Sequence, residues 1–283
     1  MPLTTGLEDT HVLITGGAGL IGSAVVDAFC EEGARVSVVD LLPPDRYVID
    51  DAAREPGSLD YYQADITDEE SLDDAWSEAV ASNGPVSCCV ALASLDLSVL
   101  EHHGTAADMS VKQFRRTLDV NVTGTFLTAR MWMQGVQEEA GKGEMSNVSL
   151  ILVGSESGWL GERTNPDYAA SKSAVQVGLL KSLAADAPRL YEEARVNAIA
   201  PGPVDTPRFE EECSRNPDQL YMDAQATTGL CKPVPMQAVA RSILYLASDN
   251  FSSHVHGQVL NVDSGKQGKV LYTKNEASEQ VWG

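Results

Sequence analysis

A tyrosine and a lysine stand four residues apart in the segment Tyr168-Ala169-Ala170-Ser171-Lys172. On a helix, this spacing places both side chains on one face, one above the other. A free tyrosine titrates near pH ~10, too high for a base at neutral pH, but a nearby ammonium favours the phenolate and lowers that pKa. The pair could therefore move a proton to or from an alcohol oxygen. The spacing is also common by chance, and an exposed pair on a helix is the alternative.

Two further polar residues are candidates for the same site. Ser155 stands thirteen residues before Tyr168, at the end of a predicted strand, where ligands of parallel sheets bind. Its hydroxyl could hold a substrate carbonyl, or it could simply belong to a Gly-Ser turn. Asn121 and Gly124 interrupt a helical pattern, and because both types are poor helix formers, a functional kink is one interpretation. A satisfied polar side chain on a helix is the other.

A glycine-rich turn, Thr15-Gly16-Gly17-Ala18-Gly19-Leu20-Ile21-Gly22, follows the first predicted strand. Gly17, Gly19 and Gly22 form a G-x-G-x-x-G pattern between a predicted strand and a predicted helix, the context that dinucleotide binding requires. Glycines let the backbone approach a pyrophosphate, and the helix N-terminus offers free N–H groups to it. A glycine-rich turn without a ligand is the alternative.

Asp40 ends the second predicted strand, eighteen residues after Gly22. A carboxylate at this place can accept hydrogen bonds from both hydroxyls of an adenosine ribose, and it would repel a 2′-phosphate. The sequence therefore predicts NAD over NADP, although Arg46 is near enough in the chain to favour the phosphate. An aspartate that only begins a turn is the alternative.

The third predicted strand is followed by Asp65-Ile66-Thr67-Asp68. Asp65 and Ile66 are expected to lie against an adenine ring. Thr67 and Glu70 also match a capping box, which would give the same segment a purely structural role. The two interpretations are compatible.

Continuous apolar runs alternate with helix-length segments along the chain, which predicts an α/β fold: a doubly wound parallel sheet with helices on both faces. The predicted strands are 11–15, 35–39, 59–63, 86–91, 148–153, 196–200 and 259–262. The predicted helices are 19–32, 69–82, a long and broken 111–139, 168–187 ended by Pro188, and 237–248. The Pro-rich and acidic stretch after Pro201 resembles a lid over a site, and the tail 266–283 is polar.

Composition excludes several classes of function. The chain of 283 residues has 20 basic and 41 acidic side chains, a formal charge of −21 that argues against nucleic-acid binding. No apolar run reaches the ~20 residues of a membrane helix, and the N-terminus lacks a secretory pattern, so a cytoplasmic protein is expected. The five cysteines match no zinc spacing, so no metal is predicted, and reduced buried thiols are expected.

In combination, these residues resemble the short-chain dehydrogenase/reductase family, from about residue 11 to 264. The resemblance rests on the glycine turn, Asp40, Asn121, Ser155, Tyr168, Lys172 and the segment Pro201-Gly202-Pro203-Val204-Asp205-Thr206. It implies a single Rossmann domain over 1–283 with about seven parallel strands and a substrate lid at about 203–235. It also implies a homotetramer or homodimer that acts on a small molecule.

The resemblance implies a role for each matching residue. Tyr168 would be the general acid/base, Lys172 would hold the nicotinamide ribose, Ser155 would orient the substrate, and Asn121 would hold a water in a proton relay. The residues expected around the cofactor are Gly16, Ala18, Gly19, Leu20, Ile21, Asp40, Asp65, Ile66, Ala91, Ala93, Tyr168, Lys172, Pro201, Gly202, Val204 and Thr206. Ser157 and Trp159 are expected to join Ser155 in the substrate pocket.

Two departures from the family pattern are visible. Leu20 stands where the short, single-domain branch has a glycine, and Ala91-Leu92-Ala93-Ser94 replaces the usual Asn-Asn-Ala-Gly. The glycine spacing is similar to that of the extended, sugar-nucleotide branch. The short chain, the Pro-Gly segment and the Asn121 motif instead favour the short branch with a variant glycine turn.

Three functions are compatible with these observations. The first is an NAD-dependent oxidoreductase that interconverts a secondary alcohol and a ketone. The second is an epimerase or dehydratase of the extended kind acting on a sugar nucleotide. The third is a cofactor-binding protein of the family's fold without redox turnover, against which the intact Ser155, Tyr168 and Lys172 argue.

Overall fold

A parallel sheet forms the centre of the molecule in the computed structural model, which describes residues 3–43, 59–143 and 145–279. Its strands are β1 (His11–Thr15), β2 (Arg35–Asp40), β3 (Leu59–Gln63), β4 (Cys88–Ala91), β5 (Ser149–Val153), β6 (Arg195–Pro201) and β9 (Val259–Val262), while β7 (Val204–Asp205) and β8 (Val234–Pro235) form a small pair. The order β3-β2-β1-β4-β5-β6-β9 reverses direction between β1 and β4. Ligands of doubly wound sheets bind at such a reversal.

The continuous apolar runs form strands because both faces of the sheet are covered. All five residues of β1 and all seven of β6 are buried. Each predicted strand is present in the sheet, with ends that differ by no more than two residues. The predicted doubly wound α/β sheet of seven strands, a Rossmann fold, is confirmed.

Helices cover the sheet in two layers. They are α1 (Leu20–Glu31), α2 (Glu69–Asn83), α3 (Val111–Leu118), α4 (Thr125–Glu139), α5 (Ser157–Leu160), α6 (Pro166–Ser173), α7 (Leu180–Leu190), α8 (Pro207–Arg215), α9 (Met236–Ala247), α10 (Asp249–Ser252) and α11 (Lys274–Glu279). Phe29 of α1 and Ile243 of α9 belong to the apolar core on one face. Trp76 of α2 and Trp132 of α4 belong to the core on the other face. Within the described residues, no helix is long and apolar enough to cross a membrane.

The prediction that Pro188 ends its helix is wrong, because α7 continues to Leu190. A proline inside a helix leaves the carbonyl four residues earlier without its usual N–H donor. That carbonyl belongs to Ala184, and it accepts a hydrogen bond from Nε2 of His256 at 2.7 Å. The side chain replaces the missing donor, so the helix passes through the proline.

The predicted capping box of Thr67 and Glu70 is also replaced. Asp68 caps α2, and its carboxylate accepts from the backbone N–H groups of Glu70 and Ser71. The Thr67 hydroxyl donates instead to Asp65 Oδ1 at 2.7 Å. All three hydrogen bonds involve polar side chains close together in the sequence, and residue spacing alone does not show which of them caps the helix.

Wider π-helical turns interrupt the long helices beside the predicted site. The expected break in 111–139 is the segment Asp119–Gly124, which separates α3 from α4. A second such segment, Ala174–Leu179, joins α6 to α7. Single π turns inside α-helices are frequent at functional sites.

The predicted lid segment, residues 203–235, contains α8 and a third π-helical segment, Leu220–Gln225. The polar tail, described here for residues 266–279, packs on it. The phenol of Tyr221 donates to the carbonyl of Tyr272 at 2.9 Å, and Lys274 pairs with Asp218 at 2.8 Å. The tail therefore covers the lid segment.

Candidate active site

The glycine turn contacts the loop that follows β4, at the point where the strand order reverses. Gly16 has a φ of +75°, a conformation that favours glycine, and a Cβ built on it would lie 2.6 Å from the Cα of Ala93. The small residues of Ala91-Leu92-Ala93-Ser94 thus let the two loops meet. The turn and this loop therefore lie side by side at the reversal of strand order, the place where ligands of such sheets bind.

The remaining glycines of the turn differ in whether the space beside them is filled by the chain or is open. A Cβ on Gly22 would lie 2.2 Å from the carbonyl of Gly16, and one on Gly17 would lie 2.7 Å from Val38, so packing within the chain requires both glycines. A Cβ on Gly19 would meet only the Gly16 carbonyl, at 3.4 Å. Gly19 is also the N-cap of α1, and no side chain caps it. The open space and the uncapped N–H groups fit a pyrophosphate.

Leu20 follows as the first residue of α1, and its side chain is 45% exposed. It therefore does not fill the inside of the turn, which explains how a leucine is compatible with the variant glycine pattern.

Asp40 lies at the end of β2, directly beside the glycine turn. Its Oδ2 accepts from the backbone N–H of Ala18 at 3.0 Å, and its Oδ1 accepts from that of Leu42 at 3.1 Å. These bonds fix the carboxylate at the edge where a ribose would bind, with the exposed side chains of Leu41 and Leu42 next to it. Arg46 lies outside the described residues.

Asp65 and Ile66 follow β3 on the same edge of the sheet. Oδ1 of Asp65 accepts from the backbone N–H of Thr67 at 2.9 Å. Ile66 is only 6% exposed, and a Cβ on Gly124 would lie 2.6 Å from its side chain. Gly124 therefore makes room for Ile66, so this side chain packs beneath the crevice more than it lines it.

Ser155, Tyr168 and Lys172 meet at the carboxyl end of β5. The hydroxyl of Ser155 is close enough to the phenol of Tyr168 to lower the pKa of that phenol. Nζ of Lys172 lies 5.6 Å from the centre of the Tyr168 ring and donates to the carbonyl of Val153 at 3.0 Å. The i, i+4 spacing on α6 therefore brings the amine to the phenol, as the sequence predicts.

The direction of the phenol's pKa shift differs from the sequence expectation. Burial raises the pKa of Tyr168, and the hydroxyl of Ser155 opposes this only in part. Burial lowers the pKa of Lys172 to about 8. Desolvation of the phenolate is thus the largest effect on this pKa in the protein alone, and the phenol is protonated at neutral pH.

Asn121 is buried and holds two parts of the site together. Its Nδ2 donates to the carbonyl of Leu95 at 3.0 Å and to Oγ of Ser171 at 3.1 Å, and its Oδ1 accepts from the N–H of Leu95 at 2.7 Å. Ser171 in turn donates to the carbonyl of Tyr168. The side chain of Asn121 is thus engaged with the chain itself, which connects the loop after β4 to the helix of Tyr168.

The segment Pro201-Gly202-Pro203-Val204-Asp205-Thr206 leaves β6 at the same edge. A Cβ on Gly202 would lie 2.8 Å from the Cα of Asp263, so this segment packs tightly on the end of β9. The hydroxyl of Thr206 accepts from the N–H of Phe209 at 3.1 Å and caps α8. The side chain of Thr206 therefore stabilises the start of α8, the first helix of the lid segment.

The predicted substrate residues follow Ser155 directly. The N–H of Ser157 donates to Oγ of Ser155 at 3.2 Å. Trp159 is half exposed, and its Nε1 donates to Oδ1 of Asn261 at 3.1 Å. Ser157 supports the candidate serine, while the indole of Trp159 contacts the end strand of the sheet and its place in a substrate pocket stays a prediction.

Three residues near the site were missed by the sequence reasoning. Oε1 of Gln176, in the segment Ala174–Leu179, accepts from the N–H of Ser155 at 2.8 Å. The charges of Asp96 and Glu156 both raise the pKa of Tyr168. Glu156 could have been found from its place next to Ser155, whereas no pattern in the sequence connects Gln176 to the site.

Comparison with known proteins gives matches over most of the chain. A family model described as enoyl-(acyl carrier protein) reductase matches residues 17–267. The 3-oxoacyl-(acyl-carrier-protein) reductase FabG of Thermotoga maritima is 30% identical over 260 residues, which cover 92% of this chain and 98% of that protein. Short-chain dehydrogenase reductase 3a of Arabidopsis thaliana is 32% identical over 264 residues, 92% of this chain and 95% of that one.

An alcohol dehydrogenase and a solved structure are similar as well. The NADP-dependent (R)-specific alcohol dehydrogenase of Lentilactobacillus kefiri is 29% identical over 266 residues, 93% of this chain and 98% of that protein. The crystal structure of gox2181 superposes with a TM-score of 0.80 at 27% identity and covers 92% of this chain and 96% of that chain. With its parallel sheet, glycine turn and Ser-Tyr-Lys cluster, the chain belongs to the short-chain dehydrogenase/reductase family of oxidoreductases.

Proposed function

We propose that the protein is an NAD-dependent oxidoreductase that interconverts a secondary alcohol and a ketone, with Tyr168 as general acid/base. The observation that carries this proposal is the cluster at the end of β5. There the hydroxyl of Ser155 acts on the phenol of Tyr168, and the amine of Lys172 lies 5.6 Å from the ring of that tyrosine. A phenol and a hydroxyl at the same strand end can together hold one carbonyl or alcohol oxygen.

The residues around this cluster fit a bound nicotinamide dinucleotide. Gly19 and the uncapped start of α1 would hold the pyrophosphate, Asp40 the adenosine ribose, and Lys172 the nicotinamide ribose. The cofactor supplies or accepts the hydride when it is bound.

The protein supplies the proton and the position of the substrate oxygen. Ser155 donates a hydrogen bond to that oxygen. Tyr168 gives it a proton in the reduction of a ketone and removes the proton in the oxidation of an alcohol. Gln176 fixes the backbone of Ser155 at 2.8 Å, so the hydroxyl is positioned before substrate arrives.

Replacement of Tyr168 by phenylalanine tests the assignment. We expect Tyr168→Phe to lower kcat at least ~100-fold, because the proton donor is lost while the ring and its packing stay. The measurement is a screen of secondary alcohols and ketones with NAD(H) and NADP(H), followed by reduced nicotinamide absorbance.

Binding of NADH to the variant, measured by fluorescence, is the control that the crevice is intact. Unchanged turnover in Tyr168→Phe would refute the role of the tyrosine. Epimerase or dehydratase activity of the extended kind would instead show product formation without net release of reduced cofactor.

A further inference from the structure

A small cavity lies between the loop of the candidate catalytic serine and the segments that cover it. Its volume is about 190 Å³, and its walls come from three parts of the chain. Glu156 and Ser157 follow Ser155, Asp223 and Thr227 belong to the lid segment, and Lys266 begins the tail. The cavity is partly open to solvent, and any movement of the lid segment away from the sheet would also expose the groups buried in its wall.

Lys266 joins the three parts. Its Nζ lies 3.2 Å from Oε1 of Glu156 and donates to the carbonyl of Asp223 at 2.6 Å. The two charged side chains are largely buried, with exposed fractions of 13% for Lys266 and 17% for Glu156. The N–H of Glu156 also donates to the carbonyl of Pro201 at 2.9 Å. One ammonium thus ties the lid segment and the tail to the catalytic loop.

The carboxylate of Glu156 is not fully compensated by this ammonium. Its Oε2 is buried and has no hydrogen-bond partner among the described residues. Asp263 and Glu162 add negative charge from the neighbouring loops, and Asp223 faces the same ammonium. A buried carboxylate oxygen without a donor is destabilising, and like charges add to the cost.

We propose that Lys266 and Glu156 have opposite effects on the lid segment: Lys266 favours its closed position and Glu156 favours its open one. Lys266 holds the lid segment and the tail against the catalytic loop. The ionised carboxylate of Glu156 drives them apart, because only an open lid lets water reach its unpartnered oxygen. Glu156 is in this sense a positioning residue next to Ser155, and its buried oxygen favours movement of the lid segment away from the catalytic loop.

The pH dependence follows from this geometry. Burial raises the pKa of Glu156 from 4.5 to about 7, and Lys266 only partly opposes the shift. The closed state therefore binds a proton more tightly than an open state in which the carboxylate is hydrated. The advantage of the closed state is fully present below about pH 4.5 and is lost as the pH rises from there through 7, and the open-to-closed ratio still rises roughly tenfold between pH 6 and pH 8.

Hydrogen–deuterium exchange of the amides of 207–228 tests the proposal without any turnover, so its failure is distinct from failure of the proposed function. Exchange is measured at pH 6 and pH 8 on the full chain and corrected for the intrinsic rates. The proteins compared are wild type, Glu156→Gln, Lys266→Met and Lys274→Met. Lys274 is the matched control, because it also pairs tail with lid segment, at Asp218, but is exposed.

We expect the wild type to exchange roughly tenfold faster at pH 8 than at pH 6. Glu156→Gln should be slow at both pH values, because the amide can still accept from Lys266 and carries no charge. Lys266→Met should be fast at both, and Lys274→Met should follow the wild type within about twofold. Fast exchange in Glu156→Gln would overturn the proposal, since the pair would then be a simple stabilising bridge, and so would an unchanged pH dependence in that variant.

Discussion

The protonation state of Tyr168 determines whether this residue is ready to act as an acid or as a base. Burial raises the pKa of this phenol, so it is an acid at neutral pH, ready to protonate a ketone oxygen. The opposite step, removal of a proton from an alcohol, needs the phenolate, which is the minor form. Lys172, with a pKa lowered to about 8, stays mostly charged below that pH.

We therefore expect the kcat/KM of alcohol oxidation to rise steeply between pH 6 and pH 8, by up to roughly tenfold per unit, while that of ketone reduction does not rise. Initial rates in both directions, in one buffer series, measure this. A flat or falling oxidation rate over that window would contradict the role of the phenol as the base.

A second single residue, Asp40, affects the preference for NAD over NADP through its carboxylate. Ala18 and Leu42 hold it at the edge of the sheet, where it can accept from two ribose hydroxyls. We expect Asp40→Ala to lose roughly tenfold or more in kcat/KM with NAD and to gain relative preference for NADP, because the repulsion of a 2′-phosphate is removed. The ratio of the two kcat/KM values is the measurement.

This test is needed because one of the similar proteins is an NADP-dependent alcohol dehydrogenase. Tighter use of NADP by the wild type would show that the argument from the ribose is wrong. Asp27→Ala, on the neighbouring α1, is the matched control and should leave the ratio unchanged.

At the scale of helices and strands, the sequence predicts most of what positions the site. Continuous apolar runs located the strands, because a strand that is buried on both faces has apolar side chains at successive positions and no alternation with polar ones. The residues at the strand ends, Asp40 and Ser155, could therefore be assigned to the binding edge.

What the sequence could not show depends on partners distant along the chain. His256 replaces the missing donor of Pro188, so a local helix-stop signal gave the wrong end. The role of Asn121 in holding a water stays a prediction, and the contacts of its amide with Leu95 and Ser171 could not be read from the sequence. Gln176 reaches Ser155 only because the chain widens into a π turn, which no spacing rule anticipates.

The contact of Gln176 gives a prediction at this scale. Gly158 leaves the space for its amide, as a Cβ there would lie 2.6 Å from the side chain. We expect Gln176→Leu to lower kcat/KM about tenfold or more, because the buried N–H of Ser155 loses its acceptor and the hydroxyl loses its fixed position. Steady-state kinetics and a melting curve measure the two effects.

Gln137→Leu, on the exposed face of α4, is the comparison and should change neither quantity. A Gln176→Leu protein with wild-type kcat/KM would show that the π turn serves packing alone.

The whole molecule carries a formal charge of −21, which neither the fold nor the site explains. The same excess of carboxylates reaches the site, where Asp96, Glu156 and Glu162 all act on the phenol of Tyr168. One domain over 1–283, a cytoplasmic location and assembly into a homodimer or homotetramer stay predictions. Like charge at this density repels within one chain and between copies, so salt should favour both folding and assembly.

We expect the melting temperature to rise when NaCl is raised from about 20 mM to about 500 mM, because the screening length falls from roughly 20 Å to below 5 Å. Relief of ~1–2 kcal/mol of repulsion corresponds to a shift of roughly 2–3 °C in a chain of this size. Calorimetry measures the shift, and the same series at pH 5, where part of the carboxylates are protonated, should give a smaller one. The main series is measured at pH 8. A melting temperature that is independent of salt there would mean that the 20 basic side chains pair with nearby carboxylates well enough to cancel the excess negative charge locally. The acidic groups around Tyr168 would then be a local feature of the site, selected for its chemistry and not inherited from the surface as a whole.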